Sequence, residues 1–152
     1  VKLYTFHVKQ ILPITVEIAW EFFSDPKNLA VITPPSMYMS ISKSSLGAMY
    51  EGMQISYRMS PLFGIPLNWT AEMKEIKAAK SFIDEQIKGP YKYWRHQHIF
   101  TPAEENSVIV EDFLQYAMPL GWAGRAVHRL IVHKKLKETF QYRRKKLVEL
   151  FG

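Results

Sequence analysis

Cysteine is absent from this 152-residue chain, which excludes disulfides, thiol nucleophiles and thiolate-held metals in one step. No apolar run is long enough to span a bilayer, and the first residues lack the apolar core of a secretory signal. A soluble, intracellular, cytoplasmic protein is the expectation. Also missing are a Gly-rich phosphate loop, a Gly-x-Ser-x-Gly elbow, a dinucleotide fingerprint and a helical His-Glu-x-x-His pair. No cofactor is expected. Glycine is sparse at seven residues, and between Ala126 and Phe151 neither glycine nor proline occurs. Nothing therefore punctuates a long helix predicted over Trp122–Phe151.

What is present is apolar bulk: 47% hydrophobic and 14% aromatic residues, too much for a disordered or fibrous chain. The length suits one domain over residues 1–152 with a single sizeable core. In the terminal stretch Leu136, Phe140, Leu147 and Phe151 fall on one helical face. Upstream, residues 2–12 alternate, with Tyr4, Phe6 and Val8 on one side and Thr5, His7 and Lys9 on the other, as in a half-buried strand. Pro13 ends it. Thr15 reads as an N-cap for a helix bearing Val16, Ala19, Trp20 and Phe23. Ser24 or Asp25 caps a second short helix through Ile32, which Thr33-Pro34-Pro35 stops.

From Met37 onward strand patterns alternate with turn chemistry. The strands expected are Met37–Lys43, Met53–Ser60, Leu67–Ile76, Ser81–Lys88, Tyr91–Phe100 and Ser107–Met118. Between them lie a connection from Leu46 to Gly52, a loop around Gly64, a polar turn at Lys77–Lys80, Gly89-Pro90, and a Pro/Glu/Asn loop. One strand, two helices, six strands and a long helix make an α+β plan. The strands would form an antiparallel sheet with one face covered. One helix cannot fill the concave side of so large a sheet, so a cavity between the two is expected, and cavities receive small molecules.

The formal charge is +6, and it is unevenly placed. Residues 122–152 hold nine Lys and Arg against Glu138 and Glu149, while the rest holds eleven basic residues against twelve acids. The excess belongs to the terminal helix. It could attract phosphates, nucleic acid or an anionic membrane; the reading preferred from sequence is a solvated face, with nucleic acid an unlikely partner. Four consecutive cations, Arg143 to Lys146, cannot all face solvent. Arg143 or Arg144 is expected to reach the cavity mouth or pair with a strand acid.

Strand parity gathers Asp84, Gln86, His96, His98 and Asp112 on one face with Phe82, Trp94 and Tyr116. With a symmetric loop at Thr101–Asn106, His96 would lie opposite Asp112 and Trp94 opposite Leu114. Across Gly89-Pro90, Asp84 and Gln86 would neighbour His96 and Trp94. Three roles fit this cluster: contact with a polar ligand group, acid–base chemistry by His96 with Asp84 or Asp112, or paired core groups that fix register. Alternating His96 and His98 with a third ligand would suit zinc, but no metal is expected. Tyr57, Trp69, Met73, Phe113, Tyr116 and Met118 are candidate pocket walls, methionine being adaptable. Of these, Tyr57, Trp69, Met73 and Tyr116, with Gln86, Trp94, His96, His98, Phe140 and Arg143, make up the expected ligand contacts.

The run Asp25-Pro26-x-Asn28-Leu29 before Ile32-Thr33-Pro34-Pro35 resembles the short-helix pair of a bacterial ligand-binding subgroup of the SRPBCC superfamily, the START-related, birch-pollen-allergen-like proteins. So does Phe82-x-Asp84-x-Gln86-x-x-Gly89-Pro90-Tyr91-x-x-Trp94-x-His96-x-His98-x-Phe100. Asp112-x-x-x-Tyr116-x-x-Pro119-x-Gly121 and Phe140-x-Tyr142-Arg143 continue the match over nearly the whole chain. The resemblance implies a helix-grip fold: a seven-stranded curved antiparallel sheet around a long C-terminal helix, with two short helices between strands 1 and 2. It also implies a pocket for a small hydrophobic molecule, lipid-, quinone- or polyketide-like. Its members include carriers and polyketide cyclases, so the fold does not choose between binding and catalysis. A non-catalytic binding protein is the leading expectation. A cyclase, dehydratase or hydrolase, or a basic-helix partner of nucleic acid or membrane, are the alternatives.

Overall fold

A computed structural model describes residues 1–42 and 47–152. Strand β1 (Tyr4–Leu12) leads to helices α1 (Val16–Phe23) and α2 (Lys27–Val31). Then come β2 (Ser40–Ile41), β3 (Gln54–Met59), β4 (Leu67–Lys77), β5 (Ser81–Lys88), β6 (Tyr93–Pro102) and β7 (Val108–Ala117). The chain ends in α3 (Gly121–Val127), a π-helical turn (His128–Val132) and α4 (His133–Phe151), continuous as one 31-residue rod. Among the described residues the seven strands form one curved antiparallel sheet in the order β1-β7-β6-β5-β4-β3-β2.

Local chemistry accounts for the boundaries. The Thr15 side chain accepts from the Ile18 amide at 3.3 Å and starts α1. Asp25 Oδ1 accepts from the Lys27 amide at 3.2 Å and organises the entry to α2. The strand expected from Met37 begins only at Ser40: Pro34-Pro35 sets a 3₁₀ turn over Pro35–Met37, and Tyr38 follows with φ 50°. The far end of that expected strand at Lys43, and the start of the following connection at Leu46, lie outside the described residues.

The expected β6–β7 register is corrected by two residues. His96 pairs with Leu114, His98 with Asp112 and Trp94 with Tyr116. The ladder runs on to Pro102↔Val108, and the turn uses left-handed Glu105 and Asn106, so its centre lies beyond the one assumed. Alternation has period two, so a two-residue shift changes partners and leaves faces intact. At the other hairpin Asp84 does pair with His96. β6 starts at Tyr93 because Tyr91 is held by Gln86 and the Lys92 amide bonds to Ala117.

The rod lies in the concave face of the sheet. Leu147 packs with Leu12, Ala19 and Phe100 at one end, while Val132, Leu136 and Phe140 pack with Leu114, Tyr116 and Phe6 nearer the middle. Each such side chain contributes about 1.5–3 kcal/mol on burial. Between the two clusters the core is incomplete.

Candidate functional site

The gap is a cavity of about 140 Å³ between sheet and rod. β3 and β4 present Tyr57, Met59, Trp69 and Met73 to it, because inward residues alternate along each strand. Tyr57 and Trp69 are cross-strand partners with rings stacked at 5.8 Å. Trp94 stands edge-on to Trp69 at 5.0 Å. Leu136 and Phe140 close it from the rod. Methionines 37, 39, 49, 59 and 73 all line it, giving a wall that reshapes at low cost.

Its floor is polar. Stacked imidazoles of His96 and His98, centroids 3.9 Å apart, sit between two carboxylates. His98 Nε2–H donates to Asp84 Oδ2 at 2.5 Å and His96 Nε2–H to Asp112 Oδ1 at 2.7 Å. The Nδ1 atoms are 3.7 Å (His96) and 3.6 Å (His98) from the opposite carboxylates, beyond bonding reach. Arg143 Nη1 donates to Asp112 Oδ1 at 2.8 Å.

The cluster is electrostatically constrained. Burial raises the Asp112 carboxyl, but the Arg143 charge and the bond from His96 overcome it and hold the group well below the usual carboxylate range. Burial likewise opposes ionisation of Asp84, and the bond from His98 with the charges of His96 and Arg143 outweighs it, so its pKa is also lowered. Burial first, and His96 second, depress His98 below its ordinary value despite Asp84.

Three donors are left over. Trp69 Nε1 and Arg143 Nε are buried without a hydrogen-bond partner among the described residues, and Trp69 and Arg143 are only 3% and 7% exposed. The Tyr57 hydroxyl has none among the described residues, and burial, then Asp84, push its pKa well above the ordinary value. The two buried unpaired donors are costly, and all three residues line the cavity.

Of the residues singled out from sequence, Tyr57, Trp69, Met73, Asp84, Trp94, His96, His98, Phe140 and Arg143 line this cavity. Five do not. The Gln86 amide brackets the Tyr91 backbone, donating at 2.7 Å and accepting at 3.2 Å. Tyr116 is buried with its hydroxyl 2.7 Å from His128 Nε2 and its ring stacked on Tyr4. Asp112 lies behind the histidines. Phe113 is on the outer face, edge-on to His7, and Met118 packs beside Tyr116 and Val132. Sequence reasoning missed Phe22, Phe23, Leu29 and Ile32 from the short helices, and Tyr91. The Phe22-Phe23 pair at the end of α1 was the available signal.

Asp84, His96 and His98 each offer a ligand atom within 4.8 Å of the others, a donor set suited to a zinc-type ion. In the structure the Asp84–His98 atoms are instead bonded to one another.

No family model and no curated protein matches the chain by sequence. Solved structures match it in shape. The Zhui aromatase/cyclase from Streptomyces sp. R1128 superposes with a TM-score of 0.75 at 10% identity, over 97% of this chain and 93% of that one. A protein from Chromobacterium violaceum gives 0.71 at 14%, over 97% of each chain. Norcoclaurine synthase from Thalictrum flavum, in complex with dopamine and hydroxybenzaldehyde, gives 0.67 at 15%, over 99% and 90%. The chain has the helix-grip fold.

Proposed function

We propose that the protein binds a small apolar molecule built on a single ring and carrying at least one oxygen acceptor. The observation that carries this is an apolar cavity lined by three residues whose donors, Trp69 Nε1, Arg143 Nε and the Tyr57 hydroxyl, have no partner among the described residues. A ligand oxygen would satisfy them at the cost of no existing bond. At about 140 Å³ the space is close to the roughly 150 Å³ of an apolar cavity that takes benzene. A ring fits with the walls at rest; a quinone- or polyketide-sized ligand requires the methionines to move.

The test is native mass spectrometry of protein from its own host, followed by titration with hydroxybenzaldehyde, a one-ring, oxygen-bearing probe also found in the Thalictrum flavum complex. A co-purifying ring compound, or saturable probe binding lost on filling the cavity, supports the reading. An empty protein that ignores the probe and its non-aromatic analogues removes it.

A second reading has its own support: each histidine has one nitrogen oriented by a carboxylate and an Nδ1 with no hydrogen bond among the described residues, an arrangement that can hold or pass a proton. In that reading the protein is an enzyme of cyclase, dehydratase or hydrolase type, with His96 or His98 as acid or base. His96→Ala divides the two. Loss of ligand turnover with binding retained, in this variant or in His98→Ala, favours catalysis; a parent protein that binds the ligand and turns none over leaves binding.

A further inference from the structure

Antiparallel pairing puts four segments at one end of the sheet: the N-terminus before β1, the β3–β4 loop, the β5–β6 turn, and the connection from β7 into α3. This end carries large apolar side chains in solvent. Phe63 and Ile65 in the β3–β4 loop are 69% and 56% exposed, and Leu120, Trp122 and Leu130 at the start of the rod are 81%, 77% and 70% exposed. Phe63 has φ 56°, a conformation rarely held by a bulky residue, so the loop carries strain while its aromatic ring stays outside the core.

The same segments carry charge of one sign. Residues 1–3, 60–66, 88–92 and 118–134 contain Lys2, Lys88, Lys92, Arg125, Arg129 and Lys134 and not one Asp or Glu. None of these six forms an ion pair among the described residues, although Lys2 sits over the Tyr4 ring. Lys2, Arg125 and Arg129 share a surface hollow with Trp122, Tyr4 and His133. Farther along the rod Lys135 pairs with Glu138 and Lys146 with Glu149, while Lys137 and Lys145 form no ion pair among the described residues. At this end, then, six cations without an ion pair among the described residues accompany the exposed apolar groups, with no acid beside them.

We propose that this end of the molecule docks on an anionic bilayer surface. Phe63, Ile65, Leu120 and Trp122 would enter the interfacial layer, where tryptophan is favoured, and the six cations would meet lipid phosphates. A nucleic acid would satisfy the cations alone and leave four exposed apolar side chains unexplained. Pro61 and Leu62, next to Phe63, also line the cavity. Docking therefore places the cavity wall against the bilayer, a route for an apolar ligand; that last clause rests on the binding reading above, while docking does not.

The experiment is flotation with vesicles of phosphatidylcholine, with and without phosphatidylglycerol, at low and high salt. Binding is expected only to the anionic vesicles, to fall with salt, and to drop about tenfold both in Arg125→Glu/Arg129→Glu and in Phe63→Ser/Trp122→Ser. Circular dichroism verifies that these surface variants keep the fold. Ala71→Leu, which fills the cavity, should abolish probe binding and leave flotation unchanged, so docking and ligand binding fail separately. No binding to anionic vesicles at low salt overturns the proposal. So does binding that the charge reversals weaken and the apolar pair leaves intact, or equal, salt-sensitive binding to duplex DNA: either marks a merely polyanion-attracting surface.

Discussion

Arg143 on the terminal helix and Asp112 on β7 are joined by a buried 2.8 Å bond that ties the lid of the cavity to its floor. Asp112 Oδ1 also accepts from His96, so one oxygen anchors both a helix and the His96 ring. Removing one partner of a buried ion pair leaves the other charged and uncompensated.

Arg143→Met should therefore destabilise the fold by about 3–5 kcal/mol, more than loss of packing alone, since methionine keeps most of the stem. Urea unfolding measures it. Adding Asp112→Asn should recover part of the loss, because no uncompensated carboxylate then remains. A single variant within about 1 kcal/mol of the parent would mean that the pair is solvated and the helix is held by its apolar face.

Acidification should weaken the protein in two stages. His98 has a depressed folded pKa, so the fold favours its neutral form; that stability is present above the unfolded value of about 6.5 and declines as pH falls below it. His128, depressed by burial and then by His133 and Lys2, adds to the same stage. Asp84 and Asp112 are lowered, so their contribution is complete above about 4 and is lost as pH falls through the folded values. Urea midpoints from about pH 8 to 3 should show both declines, and His98→Gln should shrink the first. A profile flat down to about pH 4 would contradict the assignment of His98.

Trp69→Phe keeps a ring at the wall and removes an unpartnered N–H. Stability should be unchanged or up by about 1 kcal/mol, because a buried unsatisfied donor costs that or more. Affinity for an oxygen-bearing ring should fall up to about tenfold, the worth of one hydrogen bond, with less effect on a ring lacking oxygen. Equal weakening for both ligands would show that the indole N–H takes no part in binding.

How much of this was legible in the sequence depends on which physical signal each feature leaves. Leu136, Phe140 and Leu147 were readable because burial repeats every helical turn, and all three are buried. The faces of Asp84, His96, His98 and Asp112 were readable because parity survives a register error of two. Their partners were not: Glu105 and Asn106 turn the chain in a left-handed conformation that apolar alternation does not record. The contact between His96 and Asp112 exists, yet it runs diagonally, since His98 is the backbone partner. The two fully buried orphaned donors, Trp69 Nε1 and Arg143 Nε, leave no trace in spacing, because satisfaction depends on atoms several strands away. Nor does the π-helical turn at His128–Val132, where the rod shifts phase just before it reaches the cavity.

Gly124 tests how the start of that rod is seated. A Cβ built there would lie 1.8 Å from the Pro119 carbonyl oxygen and 3.1 Å from Met118 Cβ. The obstructing atom is backbone, next to a proline ring, so it cannot swing aside as a side chain would. In an open helix alanine is better than glycine by about 1 kcal/mol, so propensity and packing predict opposite signs. Packing should win: Gly124→Ala should cost about 2–3 kcal/mol and loosen α3, with its Trp122 and Arg125, more than α4. Urea unfolding with hydrogen exchange along the rod measures both. Ala126→Gly, in the same helix without that clash, should lose only about 1 kcal/mol. A Gly124→Ala protein as stable as the parent would mean that the Pro119 connection yields, and that α3 is placed by its contacts with Tyr4 and Tyr116 through His128 rather than by this close approach.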